Sequence, residues 1–208
     1  EAAAARSAHV FIADNQGLVD YVRRTYDRPC VLIAYGGDQF EAIAADLSVF
    51  DDHDLPARYD FAMARAQVDN NLEIILDAYV ESGLPLVFVS NWSSSPYGQT
   101  IRERYRQYPN LFLIGPIYEP AKVKALHQRV RVYVHGHSAG GTNPVLVEAM
   151  WAGLPTLAFD VPFNRFTTHE HGFYFETRDQ LVALSRQTPP DALAKSGAAL
   201  RATAAFRF

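Results

Sequence analysis

An α/β fold, with a mainly parallel sheet and helices on both faces, is what this sequence predicts, and three observations predict it. Short apolar or β-branched runs alternate with longer amphipathic ones along the chain, the pattern of strands joined by crossover helices. With 208 residues, 49% of them apolar and 20% charged, the chain can bury a sizeable core. Third, the stretch Asn70 to Glu81 sets Leu72, Ile75, Leu76 and Tyr79 on one stripe at helical spacing, between a capping Asp69 or Asn70 and a terminating Gly83.

In chain order, a strand is expected at His9 to Ala13, a helix near 16 to 25 and a second strand at Val31 to Ala34. The rhythm then breaks: Gly36-Gly37 precedes an Asp- and Ala-rich stretch with Asp51-Asp52-His53-Asp54 and Pro56, which reads as a linker. Strands follow at Tyr59 to Ala64, Pro85 to Ser90, Leu111 to Ile114, Arg131 to His135, Pro155 to Phe159 and Phe173 to Phe175. Besides the helix of residues 70 to 81, helices are expected near 97 to 107, 120 to 128, 144 to 152, 178 to 186 and 190 to 204. The chain therefore divides into a βαβ remnant of one domain (1–35), an interdomain linker (36–57) and a nearly whole Rossmann-like domain (58–208). No internal repeat stands out, and only the alanines at positions 2 to 5 form a low-complexity tract. Glu1 in place of Met and the ending Phe206-Arg207-Phe208 read as the edges of a piece of a larger parent.

The net charge is −4 with Lys and Arg scattered, which argues against a nucleic-acid partner and requires any anionic ligand to be held locally. Cys30 is the only cysteine, so an internal disulfide and a cysteine-based zinc site are excluded and a cytoplasmic setting is the default expectation. No run approaches the ~18 consecutive apolar residues of a membrane span.

Residues 131 to 160 carry the chemistry, because a strand, a Gly-rich turn, a short helix and a second strand together build an anion site. Gly136, Gly140 and Gly141 let the backbone turn tightly and approach a ligand closely. Asn143 as N-cap and Pro144 as first helical residue start the helix, and the N–H groups of Val145 and Leu146 are expected to face an anion there. A loop that merely caps a helix is the alternative. Glu148 is the only charge between Pro144 and Trp151 on an otherwise apolar helix and needs a partner. Helical side chains lean toward the N-terminus, so it points back over the turn, within reach of a sugar hydroxyl. Its alternative is an ion pair with a neighbouring cation.

Glu148-Ala149-Met150-Trp151-Ala152-Gly153-Leu154-Pro155 resembles glycosyltransferase family 4, whose members carry two glutamates eight positions apart around a Gly-rich turn. The resemblance implies the C-terminal domain of a two-domain, GT-B, retaining transferase, in which Glu148 hydrogen-bonds the ribose of a sugar nucleotide. The first glutamate of the pattern falls on Gly140, and its contact with the donor sugar is missing from that position. The run His135-Gly136-His137-Ser138-Ala139-Gly140-Gly141-Thr142-Asn143-Pro144 is similar to a rhamnosyltransferase-like branch that reads Gly-Gly-Thr-Asn-Pro at this turn. Tyr35-Gly36-Gly37-Asp38, Ala64-Arg65 with Asn70-Asn71, Leu113 to Tyr118 and Pro162-Phe163-Asn164-Arg165 match the same branch in order, although Phe166 stands where the branch commonly has Glu.

What the resemblance implies for the remaining residues follows position by position. Arg65 takes the place of the cation that clamps the donor diphosphate, at the sheet edge where α/β folds bind ligands; a surface ion pair is the alternative. Asn71 stands where the family usually has Lys, as a neutral donor or as part of a helix cap. Gly115 and its neighbours should meet the nucleobase through backbone, with Ile117 or Tyr118 packed on it, unless they form a plain strand-to-helix turn. Asn164 and Arg165 approach sugar or phosphates, and Thr142 belongs to the donor turn.

His135 and His137, and His169 and His171 around Glu170, look superficially like metal ligands, but no metal and no cofactor are expected. One of His135 and His137 is expected to line the donor site instead. The implied activity is transfer of a sugar, with dTDP-L-rhamnose as the donor of the closest branch, to a saccharide or lipid-linked saccharide held by a missing domain, at the cytoplasmic membrane face. A sugar-nucleotide epimerase of the same architecture and an inert nucleotide-binding module are the alternatives, the second favoured by Gly140.

Overall fold

The computed structural model describes residues 7–208, so the alanine run at 2 to 5 and the first residues of the 1–35 segment lie outside the described residues. All eight expected strands form, with ends shifted by two residues at most. The chain opens with β1 (Phe11–Ala13), α1 (Gln16–Tyr26) and β2 (Cys30–Leu32), and β1 and β2 pair in parallel as a sheet of their own. The segment 36–57, expected as a plain linker, holds two four-residue helices, α2 (Gln39–Ala42) and α3 (Val49–Asp52), and buries Phe40 and Val49.

The remainder alternates β3 (Tyr59–Met63), α4 (Leu72–Ser82), β4 (Leu86–Val89), α5 (Pro96–Tyr105), β5 (Leu111–Ile114), α6 (Pro120–His127), β6 (Val130–His135), α7 (Pro144–Trp151), β7 (Thr156–Phe159), α8 (Pro162–Thr168) and β8 (Phe173–Phe175). It closes on α9 (Arg178–Gln187) and α10 (Pro190–Arg207). Strands β3 to β8 form one six-stranded, all-parallel sheet in the order β5-β4-β3-β6-β7-β8. After β5 the chain returns to the middle and lays β6 beside β3. The strand order reverses there, and a crevice opens at the carboxyl ends of the two strands.

Alternation along the strands covers both faces. Ala62, Phe88, Val132 and Val134 pack on one side with Leu72, Ile75, Leu76 and Tyr79 of α4, while Phe61, Val87 and Tyr133 pack on the other with Leu146, Val147, Met150 and Leu200. Each large side chain so buried contributes roughly 1.5–3 kcal/mol relative to exposure. Gly83 ends α4 in the left-handed conformation at φ 68°, with its N–H on the Tyr79 carbonyl at 3.0 Å.

Two local readings change. The N-cap of α4 is neither Asp69 nor Asn70 but Asn71, at φ 50° and without a side-chain cap hydrogen bond. Helix α8 has no counterpart among the expected helices, because its seven residues carry no apolar stripe to read.

At the opposite end of β3 from the crevice, Asp60 is 1% exposed and holds Arg131 of β6 through both oxygens, Nε at 2.8 Å and Nη2 at 2.6 Å. The Tyr79 hydroxyl donates to the same carboxylate at 2.6 Å, and Arg131 Nη2 donates to the Ser185 carbonyl at 3.0 Å. Burial pushes the Asp60 carboxyl up and the Arg131 charge pulls it back. Among the described residues no helix is long and apolar enough to cross a membrane.

Candidate functional site

The crevice where β3 meets β6 holds a cavity of about 500 Å³. Met63, Ala64 and Arg65 line it from the end of β3, Ser90 and Asn91 from the end of β4, Pro116 to Tyr118 after β5, His137 after β6, and Asn143 to Val145 from the start of α7. A second cavity of about 340 Å³ shares Met63, Ile117, Tyr118 and Val145 with the first and continues to Phe40, Val123 and Glu148. The two cavities, together the trough, adjoin at these residues: Arg65 and the start of α7 line the first, and the second is a mostly apolar chamber with Glu148 as the one carboxylate in its lining.

Neither charge is neutralised among the described residues. Arg65 is exposed and forms no ion pair among the described residues, and neither does Glu148, whose carboxylate has no hydrogen-bond partner there. Burial alone pushes the Glu148 carboxyl above its usual range. An unpaired, half-buried acid facing an apolar chamber destabilises the fold once ionised and gains by meeting hydroxyl donors. A raised carboxyl pKa means that the folded state binds more protons than the unfolded one, so stability falls as pH rises from the ordinary 4.5 through the folded value. Glu148→Gln is therefore expected to raise the melting temperature of the ligand-free chain at pH 7, with the difference shrinking toward pH 4. Equal melting curves at both pH values would contradict this account.

The Gly-rich turn is built as the sequence implies, with one change. Asn143 caps α7, its Oδ1 accepting from Val145 N at 3.2 Å, and Pro144 occupies the first turn. The Val145 N–H is thereby occupied, and the Leu146 N–H is bound to the Asn143 carbonyl at 3.0 Å. These two groups are not the open donors expected. The backbone N–H groups of Gly140, Gly141, Thr142 and Asn143 make no hydrogen bond to the described residues; of these four only Asn143 lines the trough, and Gly140 to Thr142 stand beside it.

His137 belongs to the trough and His135 does not. The His137 Nδ1–H donates to Asn70 Oδ1 at 3.0 Å, and Asn70 Nδ2 donates to the Arg65 carbonyl at 3.0 Å, so the loops after β3 and β6 are tied together. His135 is buried beside Tyr133, and burial holds its imidazole down to about 3.

Four other expected contacts have structural jobs instead. Asn71 Nδ2 donates to the Gly136 carbonyl at 2.8 Å, where a Cβ on Gly136 would strike the Asn70 backbone at 2.2 Å. Asn164 is buried and donates to the carbonyls of His137 and Phe159 at 2.9 and 2.8 Å, pinning the turn from behind. Arg165 is held by Asp160 through both oxygens and by Glu170, and stacks over Tyr174, so its charge is already neutralised by two carboxylates and it lines neither cavity of the trough. Thr142 is buried and bonded to residues 14 and 15. Gly115 lies one residue short of the trough lining, and a Cβ there would meet nothing within 4 Å.

Several lining residues escaped the sequence reading, Met63 and Asn91 among them, and another carries an unused polar group. Ser90, 3% exposed at the end of β4, lines the trough and its Oγ has no partner among the described residues. Its position at a strand's carboxyl end in an α/β pattern was the available signal. Among the described residues no group of three or more His, Cys, Asp or Glu converges as a metal site.

No family model and no curated protein matches this chain. Solved structures do. Sucrose-phosphate synthase from Thermosynechococcus elongatus superposes with a TM-score of 0.80 at 19% identity, over 100% of this chain and 56% of that one. Anabaena HepE, solved in complex with UDP and glucose, gives 0.75 at 16% identity over 99% of this chain and 60% of that one. The C-terminal domain of LpcC, a group 1 glycosyl transferase from Francisella tularensis, gives 0.63 at 11% identity over 81% of this chain and 96% of that domain. The fold is that of the C-terminal half of a GT-B glycosyltransferase. This chain spans less than two thirds of the sucrose-phosphate synthase and HepE structures.

Proposed function

We propose that this chain is the donor-binding part of a sugar transferase and takes a nucleoside diphosphate sugar into the trough. The observation that carries the reading is a pair of adjoining cavities, one lined by an unpaired cation and the other, an apolar chamber, by an unpaired carboxylate. The chamber suits a nucleoside: Ile117 and Tyr118 offer packing for a base, and Glu148 accepts from ribose hydroxyls. The diphosphate then falls at Arg65 and beside the turn that precedes α7, where the guanidinium, the unbonded N–H groups of the turn and the helix dipole oppose the charge that grows on the leaving diphosphate as the glycosidic bond breaks. Transfer with retention, and rhamnose as the sugar, rest on the likeness of the Gly-Gly-Thr-Asn-Pro turn to a rhamnosyltransferase-like branch. The acceptor, a saccharide or a lipid-linked saccharide at the cytoplasmic membrane face, is assigned to parts of the parent beyond this chain. The chain itself is expected to bind donor without transferring sugar.

Thermal shift with UDP and dTDP, beside their nucleosides, tests the reading. A nucleotide at a hundred times its Kd stabilises by ~2.7 kcal/mol, roughly 5–10 °C for a chain of this size. A shift with at least one diphosphate is expected, larger than with its nucleoside at equal concentration. No shift with any nucleoside diphosphate at millimolar concentration would refute donor binding.

A further inference from the structure

The unit formed by β1, α1 and β2 reaches the donor turn through one buried amide. Asn15 is 3% exposed and caps α1, its Oδ1 accepting from Gly17 N at 2.9 Å. Its Nδ2 lies 3.2 Å from each of Thr142 Oγ1, Thr167 Oγ1 and the Phe163 carbonyl. Thr142 returns the contact, donating its hydroxyl to the Asp14 carbonyl at 2.8 Å. Glycines on both sides make the approach possible. A Cβ on Gly17 would sit 3.1 Å from the Phe163 ring, and one on Gly141, already at φ 88°, would sit 3.2 Å from the Asp14 carboxylate.

Thr142 lies between Gly141, whose N–H is open, and Asn143, which caps α7 and lines the trough. A turn containing Gly140 and Gly141 has more conformations to lose than any other backbone, so holding its donors in place needs an outside constraint. We propose that Asn15 and Thr142 form a latch by which the β1-α1-β2 unit fixes the Gly-rich turn in its diphosphate-binding geometry. Both are positioning residues: they act on the donor through the turn, not by touching it. The inference rests on the donor-binding reading above. It makes residues 11 to 32 a working part of the donor site, and removing the latch costs binding by leaving the turn to be ordered by the ligand itself.

Thr142→Val removes the hydroxyl at constant shape and Thr142→Ser keeps it. Two readouts are compared with the unaltered chain: affinity for UDP and dTDP against their nucleosides, and hydrogen exchange of the amides from Gly140 to Val145. Two hydrogen bonds are lost, so Thr142→Val is expected to weaken diphosphate binding about fivefold or more while nucleoside affinity stays unchanged. It should also speed exchange in the turn, and Thr142→Ser should restore both. An equal loss for nucleoside and diphosphate would show a general structural defect and overturn the latch. So would faster exchange with unchanged diphosphate affinity, or no change in either readout. If the unaltered chain binds no nucleotide, the proposed function falls, and the exchange comparison alone decides whether Asn15 and Thr142 hold the turn.

Discussion

Arg131→Ala is expected to destabilise the fold by about 3–5 kcal/mol, the largest effect of any single substitution considered, because it leaves the Asp60 carboxylate buried without its counter-charge. Asp60 is 1% exposed and keeps only the Tyr79 hydroxyl, at 2.6 Å, once the guanidinium is gone. Burial already raises this carboxyl, and Arg131 is the main force opposing the rise. Removing it lifts the folded pKa further, so the deficit should be full at pH 8 and partly recovered as the pH falls and Asp60 takes up a proton. Replacing both partners by apolar residues, Asp60→Leu with Arg131→Met, should recover most of the loss, since the desolvation cost of both charges disappears together. Urea unfolding at two pH values measures all of this. A deficit below ~1 kcal/mol for Arg131→Ala would show that water reaches Asp60. Nucleotide affinity per folded molecule should not change, because Asp60 lies near the start of β3 and Arg65 beyond its end.

Arg65→Ala should separate the two cavities of the trough. A charge-assisted hydrogen bond is worth ~1.5–3 kcal/mol and each ~1.4 kcal/mol is a factor of ten, so nucleoside diphosphate affinity is expected to fall about ten- to hundredfold. Nucleoside affinity should stay within about twofold, and the exposed guanidinium makes the diphosphate affinity of the unaltered chain salt-dependent. Glu148→Gln is expected to behave differently, weakening nucleoside and nucleoside diphosphate alike by roughly tenfold, since its contact is with the ribose. Calorimetric titration of the three proteins reads both ratios. Equal losses for nucleoside and diphosphate in Arg65→Ala would place the diphosphate elsewhere. If Glu148→Gln left both affinities untouched, the carboxylate would have no part in binding.

Much of the candidate site's build was readable in the sequence because its parts are local. Asn143 before Pro144, Gly140-Gly141 ahead of them, and Glu148 one turn into an apolar helix are short-range patterns, and their physics depends on neighbours a few residues away. Arg65 was readable because the alternation of strands and helices places the end of β3 at the binding edge of the sheet. Arg165 and Asn164 show where that reasoning stopped: both stand in a motif that resembles a donor-binding one, yet their side chains are engaged by Asp160, Glu170 and two backbone carbonyls. Residue type reveals what a side chain can bind, and only the folded neighbourhood reveals what has already bound it.

By itself, then, the sequence determined the parallel α/β architecture, the eight strands, the capped helix behind the Gly-rich turn and the two charges of the trough. Each follows from periodicity or from a capping interaction that acts within a few residues. The tertiary structure alone decided that Arg65 and Glu148 stand unpaired in the two adjoining cavities of the trough, that His137 rather than His135 faces it, and that Ser90 joins it. It alone turned Thr142 from a ligand contact into a partner of Asn15, 127 residues away. Those outcomes depend on which distant groups arrive within hydrogen-bond range when the strand order reverses between β3 and β6, and no local pattern encodes that distance.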